Sequence, residues 1–265
     1  MLRPRIIPIL LIRNGGLVKT TRFADDKYVG DPINTVRLFN EKQVDEIVVL
    51  DIDATVLGRE PDYQMIEDLA GECRMPLCYG GGVKTAAQVK RIISLGVEKV
   101  AISSAAIERP GLIGEIAAQV GRQSVVAVID VKAAGLMRGN EVFTHNGKVR
   151  TGLDPLDLAR RLVAEGAGEI VINSIDRDGT RTGYDLALID PIAANITTPL
   201  TIVGGANSHD DMMSAIARYG VIGLGAGSLF VFKGRLRAVL VNYPNPEEKQ
   251  KMYEAGLTMG GHAAP

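Results

Sequence analysis

Short runs of β-branched and other apolar residues alternate with longer stretches of helical period along nearly the whole chain. That alternation predicts βα units built around a parallel sheet. Eight strands are expected, near residues 5–12, 46–53, 76–79, 98–103, 124–130, 168–173, 200–203 and 221–226. Between them lie helix-period segments such as Pro32–Lys42, Thr85–Leu95, Pro110–Gln119, Asp154–Glu165 and Ser208–Tyr219. Gly96, Gly166 and Gly220 stand where helices should stop before the chain returns to a strand. The residues after about 255 read as a frayed tail.

The pattern repeats. Asp45-Glu46-Ile47-Val48-Val49 lines up with Gly168-Glu169-Ile170-Val171-Ile172. Gly80-Gly81, Gly96 and Ser104 line up with Gly204-Gly205, Gly220 and Ser228 at nearly the same offset. Two halves of four βα units each close naturally into a barrel. The expected fold is a single (β/α)₈ TIM barrel over residues 1–245, with halves of about 1–120 and 121–245. Residues 246–265 are expected to form a partly disordered C-terminal extension. A doubly wound open sheet fits the periodicity too, and the repeat argues against it.

Composition narrows the function classes. The 265 residues are 46% hydrophobic, enough for a sizeable core, and carry 30 basic against 31 acidic side chains for a net charge of −1. A nucleic-acid protein would normally carry a basic excess or stripe. The first apolar run, Arg5 to Ile12, has no cleavage signature and is too short to span a bilayer. Cys73 and Cys78 lack metal spacing and read as reduced thiols of a soluble cytoplasmic protein. His145, His209 and His262 are scattered, the first two in expected loops and the third in the tail, so no metal and no cofactor are expected.

Chemistry in such barrels gathers at the C-terminal ends of the strands. Gly80-Gly81-Gly82 with Ser103-Ser104 falls at that end in the first half, and Gly204-Gly205 with Gly227-Ser228 in the second. Glycine lets backbone N–H groups approach an anion, and a hydroxyl adds a donor. Paired clusters point to a ligand with two phosphates, although glycines alone also make tight turns. Asp51, Asp53, Asp130 and the segment Asp176-Arg177-Asp178-Gly179-Thr180 end strands on the same face. Asp130 shares a strand face with Val128 and Val126 and is a candidate general acid or base, or else a loop cap. At the opposite end Arg5, Glu46, Lys99 and Glu169 start strands where apolar side chains are normal. They either point outward into water or ring the barrel foot and pair with one another.

These residues resemble the cyclase subunit of imidazole glycerol phosphate synthase, the glutamine amidotransferase of histidine biosynthesis. The resemblance runs from residue 1 to about 245. It rests on Arg5-Ile6-Ile7, Val18-Lys19, Gly30-Asp31-Pro32, Leu50-Asp51-Ile52, Gly80-Gly81-Gly82, Gly96-Val97-Glu98-Lys99-Val100, Ile129-Asp130 and, above all, Ser174-Ile175-Asp176-Arg177-Asp178-Gly179-Thr180. It implies a barrel that uses ammonia released by a separate glutaminase docked at its N-terminal face. Arg5, Glu46, Lys99 and Glu169 match the charged ammonia gate. Gly81, Gly82, Ser103, Ser104, Asp178, Gly179, Gly205 and Ser228 match the phosphate-binding positions of a bisphosphorylated small molecule. Lys19 falls in a mobile first loop of about residues 14–31.

One departure stands out. The family's ring closure uses two aspartates, ending strands one and five. Asp130 keeps the second, but Leu11 occupies the first, and no aspartate lies at positions 9–14. Losing a positioned acid or base typically costs about 10²–10⁴-fold in rate. Paralogues from surface-polysaccharide pathways resemble the chain in Tyr28-Val29-Gly30-Asp31-Pro32-Ile33-Asn34, Cys78-Tyr79-Gly80-Gly81-Gly82, Gly227–Gly234 and Tyr243-Pro244. That likeness implies delivery of ammonia to a third protein, a sugar amidotransferase that converts an acetamido to an acetamidino group. The alternative is a genuine cyclase, with Asp130 alone or aided by Asp51 or Asp176. Lesser alternatives are a phosphoribosyl isomerase and a scaffold that only binds.

Overall fold

The computed structural model describes residues 3–135, 139–234 and 236–262. The strands are β1 (Arg5–Arg13), β2 (Gly16–Thr21), β3 (Ala24–Gly30), β4 (Ile47–Asp51), β5 (Leu77–Gly80) and β6 (Lys99–Ile102). They continue with β7 (Val125–Ala133), β8 (Asn140–Thr144), β9 (Val149–Arg150), β10 (Glu169–Ser174), β11 (Leu200–Val203) and β12 (Gly223–Ala226). Eight of them pair in parallel in the order β1, β4, β5, β6, β7, β10, β11, β12, and β12 pairs back onto β1. The sheet is closed, so the fold is the (β/α)₈ barrel and the open-sheet alternative falls away.

The helices are α1 (Pro32–Glu41), α2 (Tyr63–Glu72), α3 (Ala86–Ser94), α4 (Ser104–Glu108) and α5 (Leu112–Val120). After them come α6 (Pro155–Glu165), α7 (Leu186–Ala193), α8 (His209–Tyr219), α9 (Ser228–Val231) and α10 (Pro246–Met259). Their starts follow from local chemistry. Asp31 and Asp154 cap α1 and α6 with their carboxylates, each followed by proline at the first helical position. Thr85 with Gln88, and Ser208 with Asp211, form reciprocal capping boxes on α3 and α8. His209 therefore opens a helix rather than sitting in a loop.

Strand alternation divides the apolar residues into two sets. Ile6, Leu10, Ile12, Ile47 and Val49 face outward and join the layer between barrel and helices. A fully buried isoleucine such as Ile6 or Ile47 contributes roughly 1.5–3 kcal/mol. Cys78, Ala101 and Val126 face inward and pack with Val48, Leu50, Val128 and Val171 inside the barrel.

Three expectations need correcting. Residues 14–31, where the resemblance implies a mobile loop, form the hairpin β2–β3, with β2 antiparallel to the upper half of β1. β7 does not end at Asp130; it runs to Ala133 because β8 pairs with it antiparallel. The tail expected to fray after about 255 is helical to Met259. Asn245 and Glu248 cap α10, and Met252, Tyr253 and Leu257 bury against the rest of the core, including α8. Lys249 and Tyr253 anchor it to Asp45: the ammonium lies 2.7 Å from the carboxylate and the phenol donates to it. Residues 263–265 lie outside the described residues.

Candidate active site

Alternation along β1 turns Arg5, Ile7, Ile9, Leu11 and Arg13 toward the barrel axis, and the same parity holds around the sheet. At the foot, Arg5, Glu46, Lys99 and Glu169 form a closed ring in which each charge touches two of opposite sign. Arg5 donates to Glu46 and, at 2.8 Å, to Glu169. Lys99 lies 2.9 Å from Glu46 and 2.9 Å from Glu169. The carboxylates are nearly sealed, at 4% and 6% side-chain exposure, whereas Arg5 and Lys99 keep 23% and 20%. Burial works against the charge on Arg5 and on Lys99, yet the two carboxylates outweigh it and raise both pKa values. Burial likewise favours neutral Glu169, and Arg5 and Lys99 reverse that, so its carboxyl titrates below the ordinary range. The charges thus point inward and pair, and the reading in which they face open water is excluded.

Thr201, which the sequence reading missed, donates to Glu169 at 2.6 Å. It can do so because β12 carries Gly223 beside it. A Cβ on Gly223 would lie 1.8 Å from the Thr201 hydroxyl. The signal was available in the alternation of β11 and in the glycine one strand over.

Above the ring, one cavity of about 230 Å³ rises through the barrel to its C-terminal mouth. Glu46 and Glu169 line its lower end; Val48, Cys78, Ala101, Val126 and Val171 line its middle. Its upper wall includes Gly81, Gly82, Ser103 and Ser104 on one side and Asp178, Gly179, Gly205 and Ser228 on the other. Ser104 and Ser228 open the short helices α4 and α9. Gly205, at φ +97, sits where a Cβ would lie 2.1 Å from the Gly183 carbonyl, so only glycine fits that turn.

Asp130 stands at the mouth, paired in register with Asn173 across β7 and β10. One oxygen accepts from the Asn173 amide at 2.9 Å and the other from the Ser103 hydroxyl at 3.2 Å. Burial pushes its pKa up to about 6, with those two bonds holding it from going higher. The rise brings the carboxyl's titration closer to neutrality than an ordinary carboxylate's, the direction a proton-transfer residue needs. Leu11 also lines this cavity, on β1, and brings no polar atom to it.

The other rim candidates separate. Lys19, on strand β2 of the hairpin, is buried, donates to the Ile9 carbonyl, and has its pKa lowered to about 8 by burial, with Asp178 pulling the other way. Asp178 accepts from Thr20 at 2.8 Å and from the Phe23 backbone at 3.3 Å, fastening the hairpin across the mouth. Asp51 lines the cavity but spends one oxygen on the Asp53 and Ala54 backbone amides. Asp176 does not line it; its carboxylate accepts from the Ala133 backbone at 2.8 Å. Asp176 is thus a brace for the extended end of β7. Arg13 bridges Asp26 of the hairpin at 2.7 Å and Asp53 at 3.1 Å.

Comparison with known proteins places the chain in a family. Residues 5–237 match the family model described as histidine biosynthesis protein. A protein of Leptospira interrogans, provisionally named imidazole glycerol phosphate synthase subunit HisF, is 53% identical over 96% of this chain and 100% of its own length. A Vibrio vulnificus protein with a similarly provisional HisF name is 52% identical over 96% of this chain and 98% of its own length. The imidazole glycerol phosphate synthase subunit HisF of Hyphomonas neptunium is 40% identical over 88% of this chain and 91% of its own length. The chain belongs to the histidine biosynthesis protein family, among the relatives of the cyclase subunit of imidazole glycerol phosphate synthase.

Proposed function

We propose that the protein is the ammonia-using synthase subunit of a glutamine amidotransferase of the imidazole glycerol phosphate synthase type. A glutaminase docks at the N-terminal face, and its ammonia enters through Arg5, Glu46, Lys99 and Glu169. It crosses the apolar middle of the barrel and meets a ligand whose two phosphates sit at the two glycine–serine clusters. The observation that carries this reading is the single cavity joining the charged ring to both clusters. A small neutral nucleophile can cross such a lumen without leaving a charge unpaired, which would be costly in an apolar interior. At the mouth, Asp130 accepts a proton from the nitrogen as its lone pair adds to an electrophilic carbon, then returns it to the leaving group.

The acceptor of the ammonia divides the proposal. The names of the relatives favour closure of the imidazole ring of a formimino-carboxamide ribonucleotide. Leu11 favours a second reading, because ring closure in this family calls for an acid there and a conduit does not. In that reading the ammonia continues to a third, sugar-amidating protein and converts an acetamido to an acetamidino group. Two reactions separate them: ammonium at high pH with the ribonucleotide, following imidazole glycerol phosphate, and glutamine with the glutaminase, the third protein and an acetamido sugar. Robust turnover in the first establishes the cyclase; turnover only in the second establishes the relay. Silence in both would overturn the proposal. Its setting is taken to be the cytoplasm, where Cys73 and Cys78, both unpaired, would stay reduced.

A further inference from the structure

Beyond Ser228 and the short helix α9 the chain leaves the barrel mouth as a hairpin, β13 (Phe232–Lys233) and β14 (Ala238–Val239), which forms a separate two-stranded sheet. Its root is fixed. Leu240 donates to the Val231 carbonyl and Asn242 to the Phe230 carbonyl, both at 2.9 Å, and Phe232 is buried. The Lys27 ammonium, on β3, and the Arg237 guanidinium lie 5.2 and 4.7 Å from the centre of the Phe232 ring. The two hairpins therefore adjoin beside the cavity, which Ser228 lines just before one and Thr20 and Phe23 line from within the other.

The projecting part of the new hairpin is apolar where a surface is normally polar. Among the described residues nine large apolar side chains are exposed, and three of them, Leu236 (91%), Val239 (46%) and Leu240 (51%), fall within five consecutive residues. Single apolar side chains on a surface are ordinary, whereas a close group of them marks a contact. The charge around the group has one sign. From Leu229 to Asn245 the sequence carries Lys233, Arg235 and Arg237 and no acidic residue. On the neighbouring β3, Asp26 is bound by Arg13 at 2.7 Å.

We propose that this hairpin is the docking site of the protein that takes over the nitrogen, and that the surface it meets is apolar at its centre and acidic at its rim. The inference rests on the relay reading of the proposed function. Ammonia that reaches bulk water at neutral pH is protonated, and its lone pair is then lost to carbon. A receiving protein must therefore seat against the barrel mouth, and the hairpin stands at the edge of that mouth. Leu236, Val239 and Leu240 supply the area removed from water, as the centre of a protein interface does. The exposed Lys233 and Arg237 steer and orient an acidic partner.

The test titrates the sugar-amidating protein into the full-length barrel protein with its glutaminase, glutamine and the acetamido sugar. Leu236→Asp and Arg237→Glu alter exposed side chains and leave the core intact. Each should raise the half-saturating concentration of the amidating protein at least about tenfold. Turnover at saturation, and glutamine hydrolysis measured without the third protein, should stay as in wild type. Arg237→Lys should keep most of the affinity, and the wild-type half-saturation should rise with salt. Unchanged half-saturation in both variants would overturn the inference and leave the relay standing, as would a loss confined to turnover at saturation. Sedimentation of the barrel protein alone, and with vesicles of phosphatidylglycerol and phosphatidylcholine, covers the other occupants. Self-association or vesicle binding that Leu236→Asp abolishes would give the hairpin to a second copy or to a membrane and overturn the inference too. A wild-type system that never amidates the sugar overturns the relay, and this inference with it.

Discussion

Lys99 holds Glu46 and Glu169 at the same distance, 2.9 Å, from one ammonium group. The two carboxylates come from equivalent places in the two halves of the chain, and Arg5 joins them from the other side. No charge in the ring can therefore be removed without costing two others one of their two partners.

Replacing Glu46 with alanine should leave Arg5 and Lys99 with a single acidic partner. Breaking a buried pair costs about 3 kcal/mol or more, so the melting temperature should fall by roughly 6–12 °C. Glutamine-dependent turnover should fall further than ammonium-dependent turnover, since only the first needs an intact entrance. Steady-state assays with the two nitrogen sources check this, and equal losses on both routes would refute the gate.

The pKa of Asp130 makes a pH prediction with a definite sign. Its ordinary value is 3.8 and in the fold it rises to about 6. Between those values the folded protein keeps a proton that the unfolded chain has released, so this residue's contribution to stability falls as pH rises through the window. Well above pH 6 the cost is complete, and Asp130→Asn should then be more stable than wild type by up to about 3 kcal/mol. The same change should lower synthase turnover about 10²–10⁴-fold. Carboxyl carbon NMR titration reads the pKa directly, and a midpoint near 4 would contradict the expectation.

Leu11→Asp puts a carboxylate on the cavity wall at the one position where the family pattern calls for an acid. Leu11 is partly open to the cavity, so the new charge can stay hydrated and the fold should hold. An ammonium-dependent rise of about tenfold or more in imidazole glycerol phosphate formation is expected, taking the modest end of what one proton-transfer group supplies. No gain would mean that other rim residues have moved away from that substrate as well.

Tyr253→Phe removes a phenol that donates to the carboxylate of Asp45. Hydrogen bonds to charged groups are worth about 1.5–3 kcal/mol, and denaturant unfolding should show a loss of that size. Asp45 also accepts from the Ile6 amide at 2.9 Å. Ile6 and Asp45 are chain neighbours of Arg5 and Glu46, so the variant should weaken glutamine coupling as well as stability. A change in stability with coupling untouched would confine the last helix to a structural role.

The strands of the barrel were legible because strands covered on both faces read as unbroken apolar runs. The charged ring was legible once Arg5 was counted on the face of Ile7, Ile9 and Leu11. What failed had weaker local signals. The hairpin β2–β3 was hidden by Ala24-Asp25-Asp26-Lys27, an exposed strand whose polar residues look like loop. The last helix buries a single stripe, Lys249, Met252, Tyr253, Gly256 and Leu257, but a lysine and a glycine in that stripe blunt its apolar contrast, although Asn245 with Glu248 was a readable start signal. Asn173 was within reach, two inward steps beyond Glu169. Asp176 was not, because its bond to the Ala133 backbone depends on the unforeseen extension of β7.

Gly223 shows how far control of the foot extends beyond its charged members. A single methyl group there would collide with the Thr201 hydroxyl, displace it from Glu169, and loosen the seal without altering one ionisable atom. Screens for leaky variants should therefore include the small neutral positions of the last barrel strand, where an apparently harmless alanine would act at one remove.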